Sequence, residues 1–150
     1  MTNHTLEIIG MHEPINFSEQ GIVDLPTKTD TGAYNSAIDC CYTEEKENEE
    51  GGKVLYFTLL NSTNEHYTGQ KHSTSDYKVK KVRSSNGIET YRYQVKLSVG
   101  IKGRRFHTTF NLSHRSKMRY PVLLGRKLLA DRFLVDVSKH RKTKKGVTFL

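Results

Sequence analysis

The chain has 150 residues, of which 35% are hydrophobic and 27% charged, and this length and composition predict a single domain over residues 1–150 with one hydrophobic core. No apolar run approaches the roughly 18 residues of a membrane span, and Met1 to His4 lack the features of a secretory signal, so we expect no membrane association and a cytoplasmic location. The net charge is +8, but it is unevenly distributed along the chain. Residues 1–75 contain 12 acidic and 4 basic residues, whereas residues 76–150 contain 4 acidic and 20 basic residues.

The first half of the chain alternates strand-like segments with polar stretches. Leu25-Pro26 predicts a break, because proline lacks an N–H group and fixes its own backbone. Residues 42–52 carry five glutamates, whose mutual repulsion predicts an acidic loop exposed to water. Asn61 to Asp76 is polar and predicts another loop. Strands are predicted at Leu6 to Gly10, Ala33 to Cys41 and Lys53 to Leu60.

The second half begins with a β-hairpin centred on Asn86-Gly87. This dipeptide is typical of a two-residue type I′ turn, which needs positive φ at both positions. The flanking segments are Tyr77 to Ser85 and Ile88 to Val99. From Tyr91 to Val99 apolar residues alternate with polar ones, which is the period of a half-buried strand.

The C-terminal part of the chain predicts further strands, a short helix and a basic tail. Gly100 to Gly103 predicts a turn, and Arg126 to Phe133 contains good helix formers without a turn residue. Residues 139–145 are mostly basic and are expected to form a mobile tail. Strands are predicted at Phe106 to Leu112, Val122 to Leu124 and Leu134 to Val137. The sequence therefore predicts a mainly β domain with one short helix.

Two separated motifs carry the chemistry. Asp30-Thr31-Gly32-Ala33 lies about ninety residues before Val122-Leu123-Leu124-Gly125-Arg126-Lys127-Leu128-Leu129. A short motif recurs by chance, and Thr-Asp-Thr-Gly also suits a simple turn. The two motifs in this order, with a hairpin between them, resemble the retropepsins over residues 22–137.

Four segments carry a closer similarity: Lys28 to Ile38, Val82 to Thr90, Arg115 to Arg126 and Phe133 to Asp136. They resemble a bacterial retropepsin-like family, RimB-like and often labelled "putative ATP-dependent zinc protease". The resemblance implies an all-β fold, a retropepsin-like (acid protease) closed β-barrel with one short C-terminal helix and a hairpin flap.

The resemblance implies an aspartic peptidase in which Asp30 is the catalytic carboxylate. Peptide hydrolysis without a metal or a nucleophile needs a water held between two carboxylates. Such carboxylates share one proton, because like charges about 3 Å apart cannot both ionise. A chain with a single Asp-Thr-Gly motif supplies one of them, so the resemblance implies a C2 homodimer that supplies the other.

The resemblance also assigns roles around Asp30. Thr31 is expected to hydrogen-bond across the dimer axis, and Gly32 lets the backbone come close to the carboxylate. Gly125 and Arg126 are expected to support the active-site loop, although Tyr34 stands where retropepsins have an acidic partner for the arginine. The substrate-binding residues implied by position are Ala33 and Tyr34 beside the aspartate, and Ser84, Ser85, Asn86 and Gly87 at the flap tip.

The residues themselves give no support for a metal site or another nucleophile. Cys40 and Cys41 are adjacent and offer neither a disulfide framework nor a zinc-ligand set. The seven histidines are scattered, and none belongs to a His-Glu-x-x-His motif. We therefore expect no metal and no cofactor.

The uneven charge bears on the partner. A basic second half favours an acidic partner, and because some members of the family are encoded beside glutamate ligases, a glutamate-rich or ribosomal protein is the expected substrate. The basic half can equally face the acidic half across a fold or a dimer. One alternative function is a catalytically inactive retropepsin-fold module that binds an acidic protein or RNA. A nucleic-acid binder is a weaker alternative, since charge is its only support and no aromatic-basic RNA motif is present.

Overall fold

The computed structural model describes residues 6–83 and 85–140, and most of this part of the chain is extended. A short 3-10 helix follows the first strand, and one α-helix precedes the last. The strands are β1 (Glu7–Phe17), β2 (Ile22–Thr29), β3 (Ser36–Glu47), β4 (Lys53–Leu59), β5 (His72–Thr74), β6 (Tyr77–Arg83), β7 (Glu89–Ile101), β8 (Arg104–Ser113), β9 (Val122–Leu124) and β10 (Phe133–His140), and the helices are Ser18–Gln20 and α1 (Arg126–Leu129).

Six of the strands close into a barrel. They are hydrogen-bonded in the order β1-β2-β9-β3-β8-β7, and a bridge between Asn16 of β1 and Gly100 of β7 closes the ring. β10 lies outside the ring on β1, β6 lies outside it on β7, and β4 with β5 extends from β3. This arrangement confirms the predicted all-β fold, a closed barrel with a short helix and a projecting hairpin.

Apolar side chains from the alternating strands fill the barrel, as their period predicts. The alternation in β7 buries its apolar residues from Val95 to Ile101, and Phe110 and Leu112 of the antiparallel neighbour β8 join the same cluster. Leu128 and Leu129 of α1 are also buried in it. Burying each such side chain contributes about 1.5 to 3 kcal/mol.

The helix and the C-terminal tail differ in extent from the prediction. α1 has four residues rather than the eight predicted from Arg126 to Phe133, because Phe133 is already the first residue of β10 and is buried. Lys139, the first residue of the predicted basic tail, lies in β10. Residues 141–145 of that tail lie outside the described residues. Among the residues that are described, no helix is long and apolar enough to cross a membrane.

The first strand is longer than the sequence predicts, and the second was not predicted. The strand expected to end at Gly10 continues to Phe17, and Leu25-Pro26 lies inside β2 rather than at a break. Pro26 is tolerated because it lies opposite Pro14 of β1. The two missing N–H groups therefore fall at a single pair of the ladder instead of removing hydrogen bonds at two places.

The acidic loop predicted over residues 42–52 is mostly strand. β3 runs to Glu47 and pairs with β4 through Glu47↔Lys53, which leaves a loop of five residues, 48–52. Glu44, Glu45 and Glu47 are all exposed. In this outer part of the sheet, formed by β3, β4 and β5, these side chains stay in water, so their mutual repulsion does not prevent strand pairing.

The prediction of a two-residue type I′ turn at Asn86-Gly87 is wrong. β6 and β7 pair up to Arg83↔Glu89, so the connection has five residues, 84–88, with positive φ at Gly87 (84°). A two-residue turn with positive φ at both positions instead joins β7 to β8, at Lys102 (50°) and Gly103 (77°), between the paired residues Ile101 and Arg104.

Candidate active site

Asp30 follows directly after β2 and is held by the neighbouring strand. β2 runs parallel to β9 with Thr29 opposite Leu124, and the backbone N–H of Asp30 donates to the carbonyl of Leu124 at 2.8 Å. The N–H of Gly32 donates to the Asp30 carboxylate oxygen Oδ1 at 3.1 Å. The first contact fixes the backbone of Asp30 and the second orients its carboxylate; the residue as a whole is half-buried.

The loop of residues 30–35, called here the active-site loop, is tied to the start of α1. The N–H of Arg126 donates to the carbonyl of Ala33 at 2.8 Å, and the N–H of Lys127 donates to that of Tyr34 at 2.9 Å. Gly125 makes this approach possible, because a Cβ at that position would lie 2.6 Å from the carbonyl oxygens of both Tyr34 and Asn35. Gly125 thus supports the active-site loop because it has no side chain to keep the loop away.

Arg126 has two partners in place of the missing acidic residue. Its guanidinium donates to the carbonyl oxygen of Thr31 at 3.1 Å. It also lies over the ring of Tyr34, 6.0 Å from the ring centroid, within the range of a cation–π contact. Tyr34 therefore retains a contact with the arginine, although the contact is no longer an ion pair.

The Asp30 carboxylate faces a cavity of about 430 Å³ with a basic lining. Lys28 of β2 contributes to the wall, as do Arg115 and Arg119 of the β8–β9 loop, here residues 114–121. His12 of β1 lines it too, and its ring stacks on Tyr120 with 4.8 Å between the centroids. An anionic group that enters this cavity would meet cations from two elements.

The β8–β9 loop is held by a buried carboxylate that the sequence analysis missed. Asp39 of β3 is 1% exposed, and its Oδ1 accepts a hydrogen bond from the backbone N–H of Arg115 at 2.7 Å. Its Oδ2 accepts one from the side-chain amide of Asn61 at 2.8 Å. An aspartate inside the apolar run Ala37 to Cys41 was the signal that could have identified it, because an unpaired carboxylate is rarely buried.

The predicted flap residues do not line this cavity. Ser85, Asn86 and Gly87 are exposed in the β6–β7 connection and are not among the residues around Asp30. Ser84, which was predicted to contact substrate with them, lies outside the described residues. Their substrate-binding role stays a prediction.

The other predicted residues lie close to Asp30. Thr31, Gly32 and Tyr34 are exposed, and Ala33 is half-buried. A single chain therefore presents one carboxylate on a loop whose tip faces solvent. Water activation by a carboxylate pair needs a second acid at this exposed loop.

Three pockets, distinct from the Asp30 cavity, lie near the active-site loop, α1, β8 and β7, and Lys127 lines all three. Asp131 and Asp76 line them as well, but basic residues are in excess, and the three pockets together are called here the basic groove. Arg132 donates to the carbonyl of Leu128 at 3.1 Å, and Lys127 donates to the Thr109 hydroxyl at 3.2 Å. These contacts hold the cations in place. The groove's basic side chains are Arg104, Arg126, Lys127, Arg132, Lys96 and Lys78.

Neither thiol lines the Asp30 cavity. Burial raises the pKa of the Cys40 thiol to about 11, so it is a poor nucleophile at neutral pH. Cys41 is exposed on β3. Within residues 6–83 and 85–140, no three His, Cys, Asp or Glu side chains come close enough to hold a metal ion.

Comparison with known proteins identifies a family, a similar solved structure and several curated relatives. The family model described as "Retropepsin-like aspartic endopeptidase RimB" (RimB-like) matches residues 8–146. A crystal structure of a Legionella pneumophila protein of unknown function is similar with a TM-score of 0.63 and 25% identity, covering 90% of this chain and 96% of that one.

The curated relatives are much longer than the match. A "Probable alpha-L-glutamate ligase" of Shewanella pealeana is 26% identical over 132 residues, which are 88% of this chain and 29% of the relative. A protein of the same name from Desulfotalea psychrophila is 23% identical over 130 residues, 87% of this chain and 28% of the relative. The chain thus spans less than a third of either protein.

Proposed function

The chain belongs to the RimB-like family of retropepsin-like aspartic endopeptidases, and from this premise we propose that it hydrolyses peptide bonds with a water held between two Asp30 carboxylates of a homodimer. The observation that carries the proposal is the position of Asp30. Its backbone is bonded to β9, and its carboxylate is oriented by the N–H of Gly32 at the wall of an open cavity. One carboxylate would act as the base and the other, protonated, as the acid.

The homodimer is part of the same proposal, because one chain carries one Asp-Thr-Gly motif. A two-fold axis beside the active-site loop would bring two copies of Asp30 together. The exposure of Thr31 and Gly32 supports such a contact surface at the loop tip. The proposed role of Thr31 is to hydrogen-bond to the partner copy there.

For the substrate we propose an acidic peptide segment, such as a glutamate-rich tail of a protein. Lys28, Arg115 and Arg119 surround the Asp30 cavity, and the basic groove begins at Tyr34 and Arg126 in contact with the active-site loop. A peptide leaving the cleavage site along that groove would be attracted if it carried carboxylates. The ligase name of the curated relatives is consistent with glutamate-bearing proteins but describes proteins of which this chain matches less than a third.

The test of the catalytic proposal is cleavage by wild type and by Asp30→Asn of a peptide library that includes glutamate-rich sequences, from acid to neutral pH. Asn keeps the size of the side chain but cannot act as acid or base, so we expect at least a roughly thousand-fold loss of activity. Asp24→Asn is the matched control, because Asp24 lines neither the Asp30 cavity nor the basic groove, and asparagine tolerates its positive φ of 55°. Cleavage by Asp30→Asn at the wild-type rate would overturn the aspartic mechanism.

A second candidate function is a non-catalytic module that binds acidic proteins, and the basic groove is the observation that favours it. The same experiment separates the two candidates. Tight binding of a glutamate-rich peptide with no cleavage under any condition, by wild type and Asp30→Asn alike, would favour the module. Cleavage that depends on Asp30 would exclude it.

A further inference from the structure

The part of the basic groove next to the active-site loop is a pocket of about 670 Å³, called here the arginine pocket. Tyr34 of the active-site loop forms one side of it. Its charged lining residues come from the start of β8 and from the segment between β9 and β10, and they are Arg104, Arg126, Lys127, Arg132 and Asp131. Four cations thus share the pocket with one acid.

Most of this positive charge is not offset by ion pairs. Arg104 lies 3.7 Å from the carboxylate of Glu7. Within residues 6–83 and 85–140, no carboxylate lies within ion-pair distance of Arg126, Lys127 or Arg132. Like charges gathered in this way repel one another, so an anion that enters the arginine pocket would relieve the repulsion.

Two of the guanidinium groups are fixed against a shared aromatic ring. The Cζ atoms of Arg104 and Arg132 lie 5.0 and 5.2 Å from the ring centroid of Phe106, so they are at most about 10 Å apart. Arg104 also lies over Phe133, at 5.5 Å, and Arg132 donates to the carbonyl of Leu128 at 3.1 Å. Cation–π contacts and hydrogen bonds to carbonyl oxygens hold these cations without neutralising them.

The third guanidinium joins the arginine pocket to the active-site loop. Arg126 donates to the carbonyl of Thr31 at 3.1 Å and lies over the ring of Tyr34, 6.0 Å from its centroid. A guanidinium has five N–H donors, so the bond to Thr31 leaves donors for a ligand. A group bound by Arg126 would therefore be one side chain away from the active-site loop.

We propose that the arginine pocket binds a phosphate group, either free phosphate or the phosphate of a phosphorylated peptide, and that the bound group restrains the active-site loop through Arg126. A phosphate group presents three strong acceptor oxygens and close to two negative charges, so it can accept hydrogen bonds from three arginines at once. A carboxylate has two oxygens in one plane and a single charge, which match one arginine fork. The arginine pocket shares no lining residue with the Asp30 cavity, so the inference does not rest on the proposed peptidase activity.

The first test is calorimetric titration of the wild type with inorganic phosphate, N-acetyl-phosphoserine amide and glutarate. Glutarate carries two carboxylates and so matches the charge of phosphate without its shape. We expect both phosphate ligands to bind at least about five-fold more tightly than glutarate. Tighter binding of phosphoserine than of inorganic phosphate would identify a phosphorylated peptide as the source, and equal binding would identify free phosphate. Glutarate binding as tightly as either phosphate ligand would overturn the proposal.

The second test compares Arg104→Lys and Arg126→Lys with the control Arg105→Lys. Lysine keeps the charge but loses the planar fork of donors, so each of the first two variants should bind inorganic phosphate about five-fold more weakly, or worse. Arg105 is exposed next to Arg104 on β8, bonds the Ser18 hydroxyl at 2.8 Å and does not line the arginine pocket. Its variant should stay within about two-fold of wild type. Affinities equal to wild type in folded Arg104→Lys and Arg126→Lys would contradict a guanidinium site.

The link to the active-site loop is tested by amide exchange with and without saturating phosphate. Exchange in residues 30–35 should become about three-fold slower in wild type and stay unchanged in Arg126→Lys, while residues 80–92 serve as the internal control. Phosphate binding that leaves residues 30–35 unaffected would refute the restraint. If wild type binds phosphate but cleaves no peptide, the proposed function fails and this inference stands. If wild type cleaves peptides but does not bind phosphate, the inference fails and the proposed function stands.

Discussion

The active-site loop and the outer hairpin, defined here as residues 80–92 of β6, β7 and their connection, are held in contrasting ways. The loop is bonded through its main chain to β9 and to α1, by Asp30 to Leu124 and by Ala33 and Tyr34 to the first residues of the helix. The outer hairpin extends past the end of β8, and its described strand pairings are between β6 and β7 alone. The described side chains of the outer hairpin are exposed.

This difference fits two roles: holding the catalytic carboxylate of the proposed function, and the role of a flap over substrate that the family resemblance predicts for the hairpin. A catalytic carboxylate must be held to within a fraction of an ångström, which packed backbone achieves. A segment that covers substrate must open and close, so few buried contacts should oppose its opening. We therefore expect the effects of substitutions in the two regions to differ in size and in how far they spread through the structure.

The largest expected effect is that of Gly125→Ala. The added Cβ would lie 2.6 Å from two backbone oxygens of the active-site loop, and backbone cannot move aside as a flexible side chain can. We expect a loss of about 3 kcal/mol in the free energy of unfolding, measured by urea denaturation. The control is Gly100→Ala in β7, where the nearest atom is the Cβ of Asn16 at 3.6 Å and the loss should be much smaller. Equal losses would show that the active-site loop moves aside as readily as the neighbours of Gly100 accommodate a methyl group.

A smaller and more local effect is expected of Gly87→Ala at the tip of the outer hairpin. Gly87 has φ of 84° and no atom within 4 Å of a built Cβ, so the cost is conformational strain of about 1 kcal/mol rather than a clash. Amide exchange should become roughly five-fold faster within residues 80–92 and stay unchanged in the barrel strands. Gly87→Asn is the control, since asparagine tolerates positive φ. Equally faster exchange in the barrel would mean that hairpin and barrel open as one unit.

The sequence predicts the strands of the barrel well, because their evidence is local, whereas the closure of the barrel was implied only by the family resemblance. The alternation of β7 and β8 and the Asp-Thr-Gly motif are each read from consecutive residues. The closure between Asn16 and Gly100 has no local signal, since a single bridge between distant residues depends on how all the strands curve. Pro26 was taken for a break because its partner Pro14 could not be known before the register of β1 and β2.

The site is less predictable than the fold, for a similar reason. Asp30 and Gly125 belong to motifs, whereas Asp39 acts through residues 22 and 76 positions further along the chain, Asn61 and Arg115. The contact of Arg126 with Thr31 and Tyr34 likewise appears only once helix and loop are packed together. Spacing along the chain identifies the reacting carboxylate but not the groups that surround it.

The smallest expected effect concerns the ion pair between Lys81 and Glu89 in the outer hairpin, 2.9 Å apart with side chains 56% and 38% exposed. Exposed pairs gain little from their attraction, because water and salt screen it and both side chains lose freedom. A double-mutant cycle of Lys81→Met and Glu89→Gln, followed by amide exchange of residues 80–92, should give a coupling below about 0.5 kcal/mol. The coupling should fall further as salt is added. A coupling well above about 1 kcal/mol that does not weaken with salt would mean that the outer hairpin is firmly held. Its contrast with the active-site loop would then depend on packing alone.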